Sequence, residues 1–311
     1  MKMFITILLF FGSFGIVAQQ IQSEELRVSN WVDGTLVLPS VKESIPLAII
    51  IQGSGPTDRN GNQPMMNNNS LKMLAEGLAD EGVASFRYDK RLIKMVQDPN
   101  FSEENVSFND FIKDAKDVIT YFEMDPRFDK IVVIGHSQGS LVGMLAAQDT
   151  TVDGLVSIAG AGQEIDDVIV DQIARQAPFL KDSARKSFDD LRVNGVLTDY
   201  DQNLASIFRL SIQPFMMTWM EYNPQEEIKK LNIPVLILNG DVDLQVNVEE
   251  ARLLNKAKPE SQLVIVSQMN HVLKEIDTTD QLDNGKSYND PNRPLEKSVV
   301  PVIANFIKQE N

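Results

Sequence analysis

Ser137 stands in Gly135-His136-Ser137-Gln138-Gly139, a G-x-S-x-G sequence that follows the apolar run at 131–134 and precedes a helical stretch at 138–147. A strand entering a helix through so tight a turn strains the serine backbone and lifts its hydroxyl into the open. Glycines are needed at 135 and 139 because side chains there would collide with the flanking strand and helix. The turn also aims the Gln138 amide, at the helix start, toward a developing oxyanion. A serine hydroxyl is a weak nucleophile and needs a base. The chain has two histidines, His136 and His271. His136 adjoins the serine, and neighbours in such a turn diverge, so it is expected to pack under the sheet and hold the turn. His271 lies in Met269-Asn270-His271-Val272-Leu273, just past the last apolar run, at the edge where parallel-sheet sites form, and is assigned as general base. The acid that orients it should come from Gly240-Asp241-Val242-Asp243-Leu244-Gln245-Val246, where Asp241 and Asp243 both qualify.

Composition narrows the chemistry. The absence of Cys excludes disulfides, thiolate metal sites and a cysteine nucleophile. Two histidines are too few for a His-rich metal cage, and neither a metal nor an organic cofactor is expected. The balance of 29 Lys and Arg against 44 Asp and Glu gives a net charge of −15, which repels phosphate backbones, so nucleic acid is not an expected partner. At 311 residues, 43% hydrophobic and 23% charged, the chain has material for a large core. Lys2, the apolar run at 5–11 and Val17-Ala18-Gln19 read as an export signal, residues 1–18, removed to leave a periplasmic or secreted protein without a stable membrane anchor.

The elements that must position these residues follow from hydrophobic spacing. Residues 25–39 read as a hairpin turning at Asp33-Gly34. Apolar runs at 46–52, 84–87, 131–134, 155–158, 234–238 and 262–266 alternate with helical stretches near 71–81, 108–122, 138–147 and after Pro301. Continuous apolar strands need cover on both faces, so the expected fold is α/β, a mostly parallel central sheet flanked by helices with an antiparallel edge. From 163 to 230 the strand signal gives way to amphipathic helices, a helical cap inserted in the single domain 19–311. Phe208, Phe215, Met216, Met217, Trp219 and Met220 cluster there, either lining a substrate pocket, with Phe215, Met216 and Trp219 as its candidates, or gluing the cap to the core.

With these residues in place the chain resembles an α/β-hydrolase, and in particular the bacterial carboxylesterases grouped with serine aminopeptidase-like hydrolases. The resemblance runs from Gly34 through the carboxy-terminal helix. Its Gly-x-x-Asp-x-x-Val pattern matches Gly240, Asp243 and Val246, which favours Asp243 and gives the order Ser137, Asp243, His271. It places Gln52-Gly53 where many hydrolases carry His-Gly, implying the Ser54 amide as second oxyanion donor beside Gln138, with Gly53 at the pocket. Arg87-Tyr88-Asp89-Lys90-Arg91 also fits, but Leu92-Ile93-Lys94-Met95 departs from the Gly-rich turn expected next, so this loop should have its own shape and alter the pocket entrance. Asp58, Arg59, Arg87 and Asp89 are expected to form an ion-pair network behind the oxyanion loop.

The resemblance implies hydrolysis of a small-molecule carboxylic ester through a Ser137-His271-Asp243 triad and an acyl-enzyme, with no cofactor. An aminopeptidase of the same fold would want a carboxylate pocket for a free amine. Glu221, Glu226 and Glu227 in the insertion are available for it, though solvated helix faces explain them equally well. An exported binding protein without turnover is the other alternative.

Overall fold

The computed structural model describes residues 21–40, 45–277 and 281–309; the expected export signal at 1–18 lies outside them. β1 (Gln22–Arg27) and β2 (Asp33–Leu38) form the antiparallel hairpin. Its turn falls at 28–32, closed by the Val28 N–H on the Val32 carbonyl at 3.0 Å, and Asp33-Gly34 opens β2 instead of forming the turn. Gly34 is required for space: a Cβ there would lie 2.3 Å from the Phe86 ring. β3 (Ile45–Ile51), β4 (Ala84–Tyr88), β5 (Phe128–His136), β6 (Gly154–Ile158), β7 (Val235–Gly240) and β8 (Gln262–Val266) complete an eight-stranded sheet in the order β1-β2-β4-β3-β5-β6-β7-β8. Among the described residues of this sheet, only the β1–β2 and β2–β4 pairings are antiparallel.

The unbroken apolar runs record burial on both sides. In β5, Ile131 and Val133 enter one core while Val132 and Ile134 enter the other. α1 (Ser70–Asp80) and α12 (Val299–Lys308) cover one face. α3 (Phe108–Glu123), α4 (Gln138–Ala146) and α10 (Val248–Ala257) cover the other, and the four-residue α2 (Leu92–Met95) follows β4. α10 stands where apolar spacing marks no element; its signal is the Asn247 side chain capping the Glu249 amide, with two acids in the first turn.

Between β6 and β7 run α5 (Ile165–Gln176), α6 (Lys181–Asn194), α7 (Ala205–Phe208), α8 (Gln213–Trp219) and α9 (Pro224–Lys229). The first four share a separate apolar core with Phe188, Leu191, Phe208 and Met220 buried in it, whereas Ile228 of α9 joins the sheet core. α11 (Gln281–Ser287) lies between β8 and α12.

Candidate active site

Ser137 is the single residue between β5 and α4, at φ 54° and ψ −120°, a conformation that L-residues avoid. Its neighbours show why both glycines are obligatory. A Cβ on Gly135 would sit 2.2 Å from the Gly139 carbonyl oxygen, and one on Gly139 would sit 2.3 Å from that of Ile51. The first clash lies within the turn, the second with the adjacent strand β3. The Ser137 amide donates to Ile158 of β6 at 2.9 Å, which locks the turn to the sheet.

His271 is buried, its Nδ1 2.8 Å from Asp243 Oδ2. A carboxylate only accepts, so the proton sits on Nδ1 and Nε2 keeps its lone pair. Asp243 Oδ1 accepts the amides of Gln245 and Val246 at 2.8 and 2.9 Å, fixing the carboxylate plane. Asp241 instead takes the Gln268 amide and the Ser267 hydroxyl at 2.6 and 3.1 Å and makes no bond to His271.

His136 is buried but does more than hold its own turn: its ring lies 4.9 Å from that of His271 on the wall of the same cavity, and Nε2 donates to the His271 carbonyl at 2.8 Å, so one histidine anchors the loop of the other. Burial, with a smaller push from His271, lowers its pKa to about 4. The unfolded chain, near 6.5, therefore takes up this proton first as pH falls. The resulting stabilisation is complete above about pH 6.5 and is lost on descent through pH 4, amounting to about 3 kcal/mol over the full range. Urea unfolding of wild type and His136→Gln at pH 7.0 and 4.5 should show a smaller acid loss in the variant, which keeps a donor and does not titrate. Equal losses would remove this histidine from the acid sensitivity.

The loop after β3 brings Gly53 against the turn, where a Cβ would lie 3.2 Å from that of Ser137. The Ser54 carbonyl accepts from Thr57 Oγ1 and Gln63 Nε2 at 2.8 and 2.7 Å, which holds the loop open. Behind it the expected ion-pair network is only half present. Arg59 grips Asp89 at 2.6 Å and also Glu25 of β1. Asp58 closes the loop on the amides of Asn60 and Asn62, both at 2.8 Å, and is spent on that task. Arg87 reaches Asn60 Oδ1 at 3.3 Å, and one of its buried nitrogens has no partner. Lys90, in the same charged stretch, is buried and donates to the Gly53 carbonyl at 2.6 Å and to Gln138 Oε1 at 2.5 Å.

Three cavities among the described residues meet here. One, about 160 Å³ and mostly polar, holds both Ser137 and His271, with Gly53, Gln63, Gln245 and Tyr288 on its wall. A second, about 270 Å³, contains Ser54, Ser137 and Gln138 under Ile165 and Val168 of α5. The third, about 360 Å³, is apolar, reaches Ser54 and Gln138, and is lined by Phe111, Phe215, Met216 and Trp219. Phe215 and Trp219 also pack on Phe108 of α3, the latter stacked at 5.4 Å, so they both line the cavity and hold the inserted helices. Phe208 and Met220 serve only the core of those helices. The divergent stretch after Arg91 supplies Leu92 and Val96 to the apolar cavity, while Arg91 is tied to Asp110 and Asp114, both at 2.7 Å. Glu226 and Glu227 of α9 pair with Lys229 and with Lys230 just past its end.

Two contacts escape a reading of the sequence. Glu250 of α10 accepts the amides of Gly162 and Gln163 at 2.8 and 3.0 Å and so shapes one cavity wall. Gln245 reaches the Tyr288 hydroxyl at 3.2 Å across the polar cavity. Neither carries a local motif.

An eight-stranded, mostly parallel sheet with a strained serine at its β5–α4 turn and an Asp-supported His past β8 defines an α/β-hydrolase. The chain belongs to the serine aminopeptidase S33 family, whose sequence signature matches residues 68–277 and spans Ser137, Asp243 and His271. The esterase EstD of Thermotoga maritima is 23% identical over 257 residues, 78% of this chain; the match spans 58% of the length of EstD. Among solved structures, Est1E from Butyrivibrio proteoclasticus is similar at 20% identity and a TM-score of 0.53, covering 86% of this chain and 96% of that one. An esterase of Pyrococcus furiosus is similar at 14% identity and a TM-score of 0.56, covering 97% and 94%. These two share the fold.

Proposed function

We propose that the protein is a serine carboxylesterase working through an acyl-enzyme. The observation that supports it most is Ser137, on its strained turn, sharing one cavity with a histidine whose Nδ1 is bonded to a buried aspartate at 2.8 Å. Ser137 Oγ attacks the ester carbonyl as its proton passes to His271 Nε2, and Asp243 holds the imidazolium that forms. The amides of Ser54 and Gln138 receive the oxyanion. Collapse expels the alcohol oxygen, which takes the proton back from His271, and water repeats the cycle to free the acid.

That proton return orients the substrate. The leaving alcohol must lie beside His271, hence in the polar cavity, and the acyl part points away from it, toward the apolar one. Such a site suits a hydrophobic acid esterified to a neutral, polar alcohol. EstD, an esterase by name, agrees with this reading. An aminopeptidase would need a carboxylate for the substrate ammonium. Among the described residues no Asp or Glu lines either cavity that contains Ser137, and Glu103 of the apolar cavity is held by Arg209 and Ser211. Nitrophenyl esters from acetate to octanoate, compared with aminoacyl nitroanilides, test the choice. Ester kcat/KM is expected to exceed that on the anilides by at least about 100-fold, the scale by which a site lacking the needed polar partner rejects a substrate. Anilide turnover equal to ester turnover would overturn the esterase reading.

A further inference from the structure

We propose that Lys90 is a positioning residue for the oxyanion hole, its ammonium gripping at once the two residues that donate to the oxyanion. The inference rests on the serine-hydrolase reading of the site and adds a component that the triad does not contain.

Its geometry is specific. Lys90 Nζ donates to the Gly53 carbonyl at 2.6 Å and to Gln138 Oε1 at 2.5 Å, and lies 4.5 Å from the centroid of the Phe111 ring. The Gly53 carbonyl and the Ser54 N–H belong to one trans peptide unit, so they point in opposite directions from the same plane. An ammonium on that oxygen fixes the plane with the Ser54 N–H directed the other way, and it draws electron density from the amide so that the N–H becomes a stronger donor. The second bond does the same for position on the other side. Gln138 opens α4, and pinning its side chain pins the residue whose N–H is the other donor. Loop and helix are thereby held in register by one buried side chain.

Packing alone does not account for a charge here. Among the described residues no carboxylate pairs with Lys90; Asp114, which lines one small cavity with it, is paired with Arg91 at 2.7 Å. Burial pushes the Lys90 ammonium down to about 7 from its ordinary 10.5, so the fold tolerates a group that is costly to keep charged. A methionine of similar length would fill the space beside Phe111 without that cost. A lysine kept at this place is explained by what it holds.

The experiment compares wild type, Ser137→Ala, Lys90→Met and Lys90→Gln on a nitrophenyl ester. It adds thermal unfolding and binding of an alkyl boronic acid, which forms a tetrahedral adduct with the serine. Lys90→Met is expected to lower kcat by about 100-fold with KM changed less than threefold, the size of effect that a misplaced oxyanion donor produces. Boronate affinity should fall in parallel, while the melting temperature stays level or rises. Lys90→Gln, which keeps an N–H donor without charge, should fall between the two. A purely structural lysine would give the opposite pattern, a lower melting temperature with kcat preserved in the folded fraction, and that would overturn the inference. Ser137-dependent turnover unchanged within threefold in both Lys90 variants would overturn it alone. Wild-type turnover that survives Ser137→Ala would overturn the reading of the site and this inference with it. Should Lys90→Met fail to fold, Lys90→Gln carries the same kcat-against-KM test.

Discussion

Ser137→Ala is expected to reduce kcat/KM on nitrophenyl esters by about 10⁴- to 10⁶-fold while leaving the melting temperature within a degree or two of wild type. The loss is large because the covalent route disappears altogether; what remains is hydrolysis by water held in the cavity and assisted by the oxyanion donors. The fold should not notice, since the hydroxyl makes no bond that supports the turn: the turn is held by the Ser137 amide on Ile158 and by the close approach of Gly135 and Gly139. Alanine inherits the same strained φ of 54°, so the strain is neither relieved nor increased. His271→Ala should cost about as much, and the double variant no more than either single one, because base and nucleophile act as a unit. A Ser137→Ala protein that keeps a tenth of wild-type activity would place the nucleophile elsewhere, and additive losses would deny that the two residues share a step.

The parts of this site that could be read from the sequence are those in which a local pattern dictates a local structure. The β5–α4 turn is one: two glycines and a serine between an apolar run and a helix leave little freedom, and both glycines prove to be steric necessities. With two histidines in the chain, one beside the serine, the choice of base is nearly forced. Strands buried on both faces announce themselves as unbroken apolar runs, whereas α10 depends on an Asn cap that spacing alone overlooks. The hairpin does not turn at Asp33-Gly34 because Asp-Gly is a turn signal only when no neighbour claims the glycine, and at 34 the Phe86 ring does. The same reason governs the ion pairs. Asp58 looks like a partner for an arginine, but the amides of its own loop reach it first. Lys90 is the extreme case, since its partners lie 37 and 48 residues away and no short window contains them.

The choice between Asp241 and Asp243 yields the sharper prediction, because the same chemical change at two neighbouring acids should have opposite consequences. Asp243→Asn is expected to cost about 10⁴-fold in kcat/KM. Asp243 Oδ1 takes the amides of Gln245 and Val246, and Oδ2 takes the His271 Nδ1 proton. An asparagine has one oxygen, and two backbone N–H groups claim it; its NH₂ must then face Nδ1 and donate to it. His271 is forced into the other tautomer, with its proton on Nε2, and cannot accept from Ser137. Size and packing hardly change, so the variant should fold and bind substrate with KM little altered. Asp241→Asn keeps an oxygen for the Gln268 amide at the far side of the loop, and its kcat/KM should stay within about threefold of wild type, as expected of a surface change away from the reacting atoms. If the two results were exchanged, the orienting carboxylate would be Asp241, and the loop would have to turn over in solution to deliver it. If both variants retained full activity, His271 would be working without an oriented tautomer, and its assignment as base would fall.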